Sequence, residues 1–355
     1  MSDVNAAATA PKKRAAQVKD VARAAGVSVA TVSRAFNFPD AVSEDSRKIV
    51  LEVARTLGYS PNPAAKALRL QRSHMVGAIF PTTDYGFYAQ VLGSFQHRMS
   101  ASGYLSVLLT VGFDNGNIYE PVRKLVERGV EGLMVVGRID DRRLLSYLLD
   151  KHIPVVSIYS SLKDAPFPSV GINNYAATTQ VMEHLLGLGH REFAMLSGPL
   201  QGNDRQQARR KAFVDALVRA GISGEPRVFE DPRTYSIRYG TETFRRLMQM
   251  HPEVTAVVCN SDSYGVAAIL EAKRLGLHVP NDVSITGFDD QELSSLVDPP
   301  LTTVSVPSLE MGTHAALTLL ETLEHGRPGL ALELAAPLVI RTSTGLRRHT
   351  SVTQG

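Results

Sequence analysis

Cysteine is nearly absent from this 355-residue chain, with Cys259 its single instance. One thiol builds neither a disulfide framework nor a cysteine metal site. Set in the apolar run Val254–Cys259, it reads as a buried strand residue, which suits a reducing, cytoplasmic setting. Uninterrupted apolar runs of ~18 residues, the length a bilayer demands, are also missing, so no membrane span is expected. The first fourteen residues are small and polar, then basic at Pro11–Arg14, without the apolar segment of a secretory signal. Enzyme signatures are lacking too. There is no P-loop, no G-x-G-x-x-G after the first strand, no G-x-S-x-G elbow and no H-E-x-x-H helix. The ten histidines show no metal-ligand spacing, so neither a metal nor a cofactor is expected, and the acidic pair in Gly287-Phe-Asp-Asp290 alone does not make an enzyme. The tail after Gly345 has no leucine heptad, so it encodes no coiled-coil tetramer.

What is present is unevenly charged. The first 73 residues carry 12 Lys/Arg against 6 Asp/Glu, whereas the remainder carries 26 against 29. The basic end is the expected nucleic-acid face.

That basic end has helical periodicity. Val18, Val21, Ala22 and Ala25 fall at the i, i+3, i+4, i+7 spacing of one buried helix face, and Gly26 stops it. A second helix from about Val29 to Phe36 takes Ser28 as cap and turns Val32 and Phe36 toward the first. A small residue at Ala22, a glycine at 26 and a branched residue at Val32 meet the needs of a helix-turn-helix: close crossing, a left-handed turn and a lock on the second helix. Thr31, Ser33, Arg34 and Asn37 then line the outer face with groups suited to phosphates and base edges. A third helix, about Glu44 to Leu57, is capped by Ser43, with Ile49, Val50, Val53, Ala54 and Leu57 as its core stripe. Beyond it Pro63–Leu70 is rich in helix formers but too short to be stable alone, so it is expected to fold on binding.

Val18–Asn37, Val42-Ser43 and Leu57-Gly-Tyr-Ser-Pro-Asn62 together resemble the DNA-binding signature of the LacI/GalR family at nearly every position. The resemblance implies that Val29, Ala30 and Arg34 enter the major groove while Thr31, Ser33 and Asn37 hold the backbone. Arg34 is then the strongest direct reader, with Val29 and Ala30 suited to thymine methyls. It further implies a hinge helix containing Asn62, Ala65 and Leu68 that pairs with its dimer mate in the minor groove, Leu68 acting as the wedge. Pro63 departs from the polar or basic residue many relatives carry there.

From His74 onward short apolar runs alternate with helical stretches: strands at Met75–Phe80, Leu105–Leu109, Gly132–Val136 and Pro154–Ile158, with amphipathic segments at Ile118–Arg128 and Arg142–Lys151. The pattern restarts after Val170–Asn174, with strands at Phe193–Ser197, Val254–Cys259 and Val283–Gly287. Two doubly wound α/β halves are implied, a periplasmic-binding-protein-like sensor behind a three-helix headpiece. Ligands bind outside the carboxyl ends of such strands. The candidates there are Asp84 with Phe87 and Tyr88, Ser157 and Tyr159, Asn173, Arg205 with Arg209, Ser261 with Asp262, and Asp289 with Asp290; Asp262 also suits a helix cap. The family resemblance, carried by Gly198-Pro199, Arg209–Phe213, Gly287–Asp290 and Pro299–Thr303, singles out Arg209 and Asp289 as ligand contacts. Ser261 stands where sugar-binding relatives often carry asparagine, and Ala212 replaces the usual glycine. The extra Arg205 favours an anionic effector such as a sugar acid or phosphate.

The expected organisation is a basic tail at 1–16, the helix-turn-helix at 17–61, a hinge at 62–73, a ligand-binding domain at 74–345 and a tail at 346–355. One lobe takes about 74–172 plus 304–332, the other about 173–303 plus 333–345. The expected protein is a cytoplasmic homodimeric transcription regulator, a repressor by default, whose partners are double-stranded operator DNA and a small-molecule effector. The rival readings are an exported solute-binding protein, which would carry a signal and no headpiece, and an enzyme of the ribokinase or dehydrogenase sort.

Overall fold

A computed structural model describes residues 16–61, 72–113, 118–231 and 236–347. The chain divides into two compact units, Met1–Ser73 and His74–Gly355.

In the first unit, helices α1 (Val18–Ala25), α2 (Val29–Asn37) and α3 (Glu44–Leu57) enclose a core of Val21, Ala22, Val32, Ala35, Val50 and Ala54. Gly26 turns the chain between α1 and α2 at φ 67°, a conformation that costs glycine nothing. Ser28 caps α2 by accepting from Thr31 N at 3.0 Å, and Ser43 caps α3 by accepting from Ser46 N at 3.4 Å. The α3 stripe is narrower than the sequence suggests. Ile49 is 50% and Leu57 40% exposed, because helices this short reach only the Val50, Val53 and Ala54 face.

The second unit holds two six-stranded sheets. The first has the order β11-β5-β4-β3-β1-β2, built from β1 (Met75–Phe80), β2 (Leu105–Thr110), β3 (Gly132–Val136), β4 (Val155–Ser160), β5 (Ser169–Ile172) and β11 (Leu332–Leu334). The second has the order β12-β10-β9-β8-β6-β7, from β6 (Phe193–Ser197), β7 (Val228–Glu230), β8 (Ala256–Cys259), β9 (Ser284–Asp289), β10 (Thr302–Ser305) and β12 (Leu338–Val339). Every pairing is parallel except β10 with β12. β4, β6, β8 and β9 are buried along their whole length, as expected of strands covered on both faces.

The chain passes between the sheets three times. The first passage is at Asn173, after β5. In the later two, Val304 and Ser305 remain paired with Phe288 and Asp289 in the second sheet, beyond the 303/304 boundary expected from the sequence, while Leu332–Leu334 pair with Val170–Ile172 in the first, beyond the 332/333 boundary. Those passages therefore lie between Ser305 and Ser308 and between Leu334 and Leu338, each beyond the end of a ladder that keeps its strand in place.

Candidate effector cleft and DNA-reading surface

The carboxyl ends of the two sheets face one another around a nearly closed cavity of about 10 Å³, room for about one water molecule. The first lobe contributes Tyr85, Tyr88 and Tyr159; the second contributes Arg205, Gln206, Arg209, Asn260 and Asp289. Helix α8 (Asp204–Arg219) supplies three of these from its first turns, where Arg205 and Arg209 share a face at the i, i+4 spacing. Asn203 caps that helix.

Asp289 ends β9 at φ 104° and Tyr159 sits near the end of β4 at φ 77°, so both side chains leave their strands off the ordinary alternation. The Tyr159 kink depends on Gly171 in the neighbouring strand. A Cβ there would lie 2.5 Å from Ser160 N and 2.6 Å from the Tyr159 carbonyl carbon. The result is a bridge between lobes in which the phenols of Tyr85 and Tyr159 each donate to one oxygen of the Asp289 carboxylate. Burial, then the Asp289 charge, pushes both phenols well above their ordinary range, so they remain donors. Burial also raises Asp289, against the opposing pull of Arg209.

Arg209 is 1% exposed. Its Nε donates to Asn174 Oδ1 at 2.9 Å and its Nη1 to the Asn260 carbonyl at 2.8 Å. The guanidinium lies 3.4 Å from the Phe288 ring centroid and 5.4 Å from that of Tyr159. Asn260 in turn donates to Gln206 Oε1 at 2.8 Å. Arg205 pairs with Asp204 at 2.9 Å. Asp204 also reaches into the first lobe, accepting from Ser160 Oγ and, at 3.3 Å, from Arg138 N.

Of the residues expected from sequence, Tyr88, Tyr159, Arg205, Arg209 and Asp289 come together here, with Phe87 stacked on Tyr159 at 4.4 Å from behind. The others do not line the cavity. Asp84 is exposed on the loop before the helix, its N–H bonded to Thr82 Oγ1. Ser157 is buried in mid-strand. Asn173 is exposed and caps helix α7 (Asn174–Gly187) by accepting from Ala176 N at 3.0 Å. Ser261 caps the next helix, accepting from Tyr264 N at 3.3 Å, and Asp262 lies inside the second lobe, held by Thr303 Oγ1 at 2.5 Å and Gln291 N at 2.6 Å. Burial, then Asp289, drives the Asp262 carboxyl well above its usual range. In two places the residue lining the cavity is the immediate neighbour of the expected one, Tyr85 beside Asp84 and Asn260 beside Ser261, while Asn174 beside Asn173 accepts from Arg209 Nε. Gln206 and Asp204 were also missed; the Arg205/Arg209 face was the signal available for them.

On the headpiece, Val29, Ala30 and Arg34 are exposed along one side of α2, with Thr31, Ser33 and Asn37 half-buried beside them. Thr31 Oγ1 shares a hydrogen bond of 2.8 Å with Ser28 Oγ, and Asn37 Nδ2 donates to Ser33 O at 2.6 Å. The hinge candidates Asn62, Ala65 and Leu68 lie outside the described residues.

A helix-turn-helix with an exposed polar-and-small second helix, carried on the same chain as a two-lobed α/β sensor with a polar cleft, defines a DNA-binding regulator controlled by a small molecule. Comparison with known proteins specifies the class. Residues 17–62 match the family model of bacterial regulatory proteins of the lacI family, and residues 182–344 match that of the periplasmic binding protein-like domain. The HTH-type transcriptional repressor CytR of Escherichia coli strain K12 is 30% identical over 341 residues, spanning 94% of this chain and 97% of that protein. The Lac repressor dimer bound to operator and the anti-inducer ONPF superposes with a TM-score of 0.82 at 27% identity, over 94% of this chain and all of that one. The CelR regulator in complex with cellobiose gives 0.67 at 28% identity, over 92% and 99%. The chain belongs to the LacI family of bacterial transcription regulators, which are not enzymes. Among the described residues no helix is long and apolar enough to cross a membrane.

Proposed function

We propose that this chain is a dimeric, cytoplasmic operator-binding repressor whose hold on DNA is set by a small hydroxyl-bearing effector enclosed between the lobes of its sensor. The bridge at Asp289 carries the reading. One buried carboxylate of the second lobe is satisfied by two phenols of the first, so a ligand whose hydroxyls take over those contacts changes what joins the lobes. Occupancy is thereby coupled to lobe angle, and the direction follows whichever DNA affinity state binds the ligand better. The similarity to a cellobiose complex makes carbohydrates the first ligands to try.

Residues 17–61 form the reading head, 62–73 the hinge and 74–345 the sensor. Arg34 takes a guanine edge, Val29 and Ala30 lie against thymine methyls, and Thr31, Ser33 and Asn37 fix the backbone. Asn62, Ala65 and Leu68 serve the minor groove. The similarity to a repressor dimer on its operator supports two heads on a near-palindromic site.

The test is operator selection from random duplex DNA, followed by anisotropy titrations of the selected duplex with a panel of sugars. At least one sugar should change operator affinity, and Asp289→Asn should abolish that response while still binding the operator. No sequence preference, or an undiminished response in the variant, refutes the reading.

A further inference from the structure

Two arginines at one cleft ordinarily invite an anion, and Arg205 beside Arg209 has that look in the sequence. The structure places negative charge beside both. Arg205 is ion-paired with Asp204, the side chains being only 5% and 16% exposed, and Arg209 is near enough for its charge to act on the buried Asp289. At the mouth, exposed Arg138 and Asp140 add one charge of each sign. Asp204 is held in place from the other lobe by Ser160 Oγ and Arg138 N. The pair also lies against a glycine that makes room for it. A Cβ on Gly137 would sit 1.9 Å from Arg205 Nη1 and 2.5 Å from Asp204 Oδ1.

We propose that Asp204 determines the charge of the ligand this cleft accepts: by neutralising Arg205 it leaves a balanced site that takes an uncharged, hydroxyl-bearing molecule and rejects one bearing a carboxylate or phosphate. The proposal rests on reading this cleft as the effector site. The physical reason is the cost of enclosing a charge without a partner, since a ligand anion would have to displace Asp204 from Arg205 and lie beside the buried Asp289 carboxyl. Hydroxyl groups, which both donate and accept, meet Asp289 and Arg209 without adding charge.

The experiment replaces Asp204 by asparagine, whose Oδ1 still accepts from Arg138 N while its Nδ2 donates to Ser160 Oγ, so the charge goes but the contacts to the other lobe stay, and uses inorganic phosphate as the probe. Binding is followed by calorimetry and by phosphorus NMR line width on the full-length protein. The wild type should show no saturable phosphate site at millimolar concentration. Asp204→Asn should gain one, tightening binding by about tenfold or more, and the gain should vanish in the Asp204→Asn/Arg205→Gln double variant. Asp204→Ser, which also removes the charge, is run in parallel in case the amide does not fold. In a second arm the wild type is titrated with matched pairs, neutral sugars and their phosphates or uronates. A saturable phosphate site in the wild type, a variant that folds without gaining one, or an anionic sugar that binds the wild type more tightly than its neutral parent overturns the proposal. Phosphate gained by the variant while Asp289→Asn leaves sugar-linked operator release untouched would uphold this charge assignment and remove only the effector reading.

Discussion

Single side chains decide the two contacts that matter most. Arg34 is the one exposed α2 residue able to make a bidentate pair with a base edge. Arg34→Ala should therefore cost operator affinity about 1–3 kcal/mol, roughly five- to over a hundredfold, while flattening preference at one base pair. Anisotropy on the cognate and singly mutated duplexes checks it; an equal loss on every sequence would make Arg34 a phosphate contact instead. In the cleft, Arg209→Glu sets a second carboxylate opposite Asp289 and removes the donors to Asn174 and the Asn260 carbonyl. Ligand-linked release from the operator should disappear, and release as in the wild type would contradict the role given to Arg209. Gly137→Ala at φ 79° forces its methyl onto the Arg205–Asp204 pair. The sensor should lose about 1 kcal/mol or more in melting experiments, with a larger loss of ligand affinity than of stability.

At the level of elements, periodicity located the three headpiece helices and seven of the strands to within two residues, because buried parallel strands read as apolar runs and helices repeat every 3.6 residues. It located the cleft only approximately. The loop before helix α4 (Gly86–Ala101), the start of α7 and the end of β8 each put neighbouring residues on opposite sides. Tyr85 therefore enters while Asp84 meets water, and Asn260 enters while Ser261 caps a helix. A shift of one position reverses the side a residue faces, and sequence carries little information about that last step. The ends of the elements also hold a pH-sensitive fastening. His190, 2% exposed after α7, bonds Thr255 Oγ1 at 3.0 Å, Ser284 Oγ at 3.0 Å and the Gly345 carbonyl at 3.1 Å, which ties the last strand-end of the sensor down. Since a carbonyl only accepts, Nε2 carries the proton there. Burial holds His190 below its ordinary value of 6.5, so the neutral ring belongs to the folded state. A group depressed on folding contributes stability that is present above the unfolded value and lost as pH falls through the folded one. The melting temperature of the wild type should therefore drop more steeply than that of His190→Gln between about pH 7 and about pH 5. Parallel curves would show that His190 does not set this dependence. Comparing the two proteins also cancels Asp262 and Asp289, whose raised values act in the opposite sense.

For the whole molecule, the division of charge has a measurable consequence. With 12 Lys/Arg against 6 Asp/Glu in the first 73 residues, operator binding should weaken linearly in log–log form as salt rises, by about 0.9 decade per decade for each phosphate neutralised. A salt-independent affinity would contradict a headpiece-led complex. Sedimentation of the free protein should give the dimer proposed above, and a tetramer at low micromolar concentration would contradict it. The sequence by itself determined the class of protein. Helix caps, the glycine turn and the Ala22–Gly26–Val32 spacing are local, and local geometry is written in neighbouring residues; the same holds for the alternation of strand and helix that announces two wound lobes. Only the tertiary structure decided what the cleft is made of. Tyr85 and Tyr159 reach Asp289 from strands and loops 204 and 130 positions away, and Asp204 cancels a charge that the sequence presents as available. Those outcomes depend on which faces two separately folded sheets turn toward each other, and long-range packing sets that.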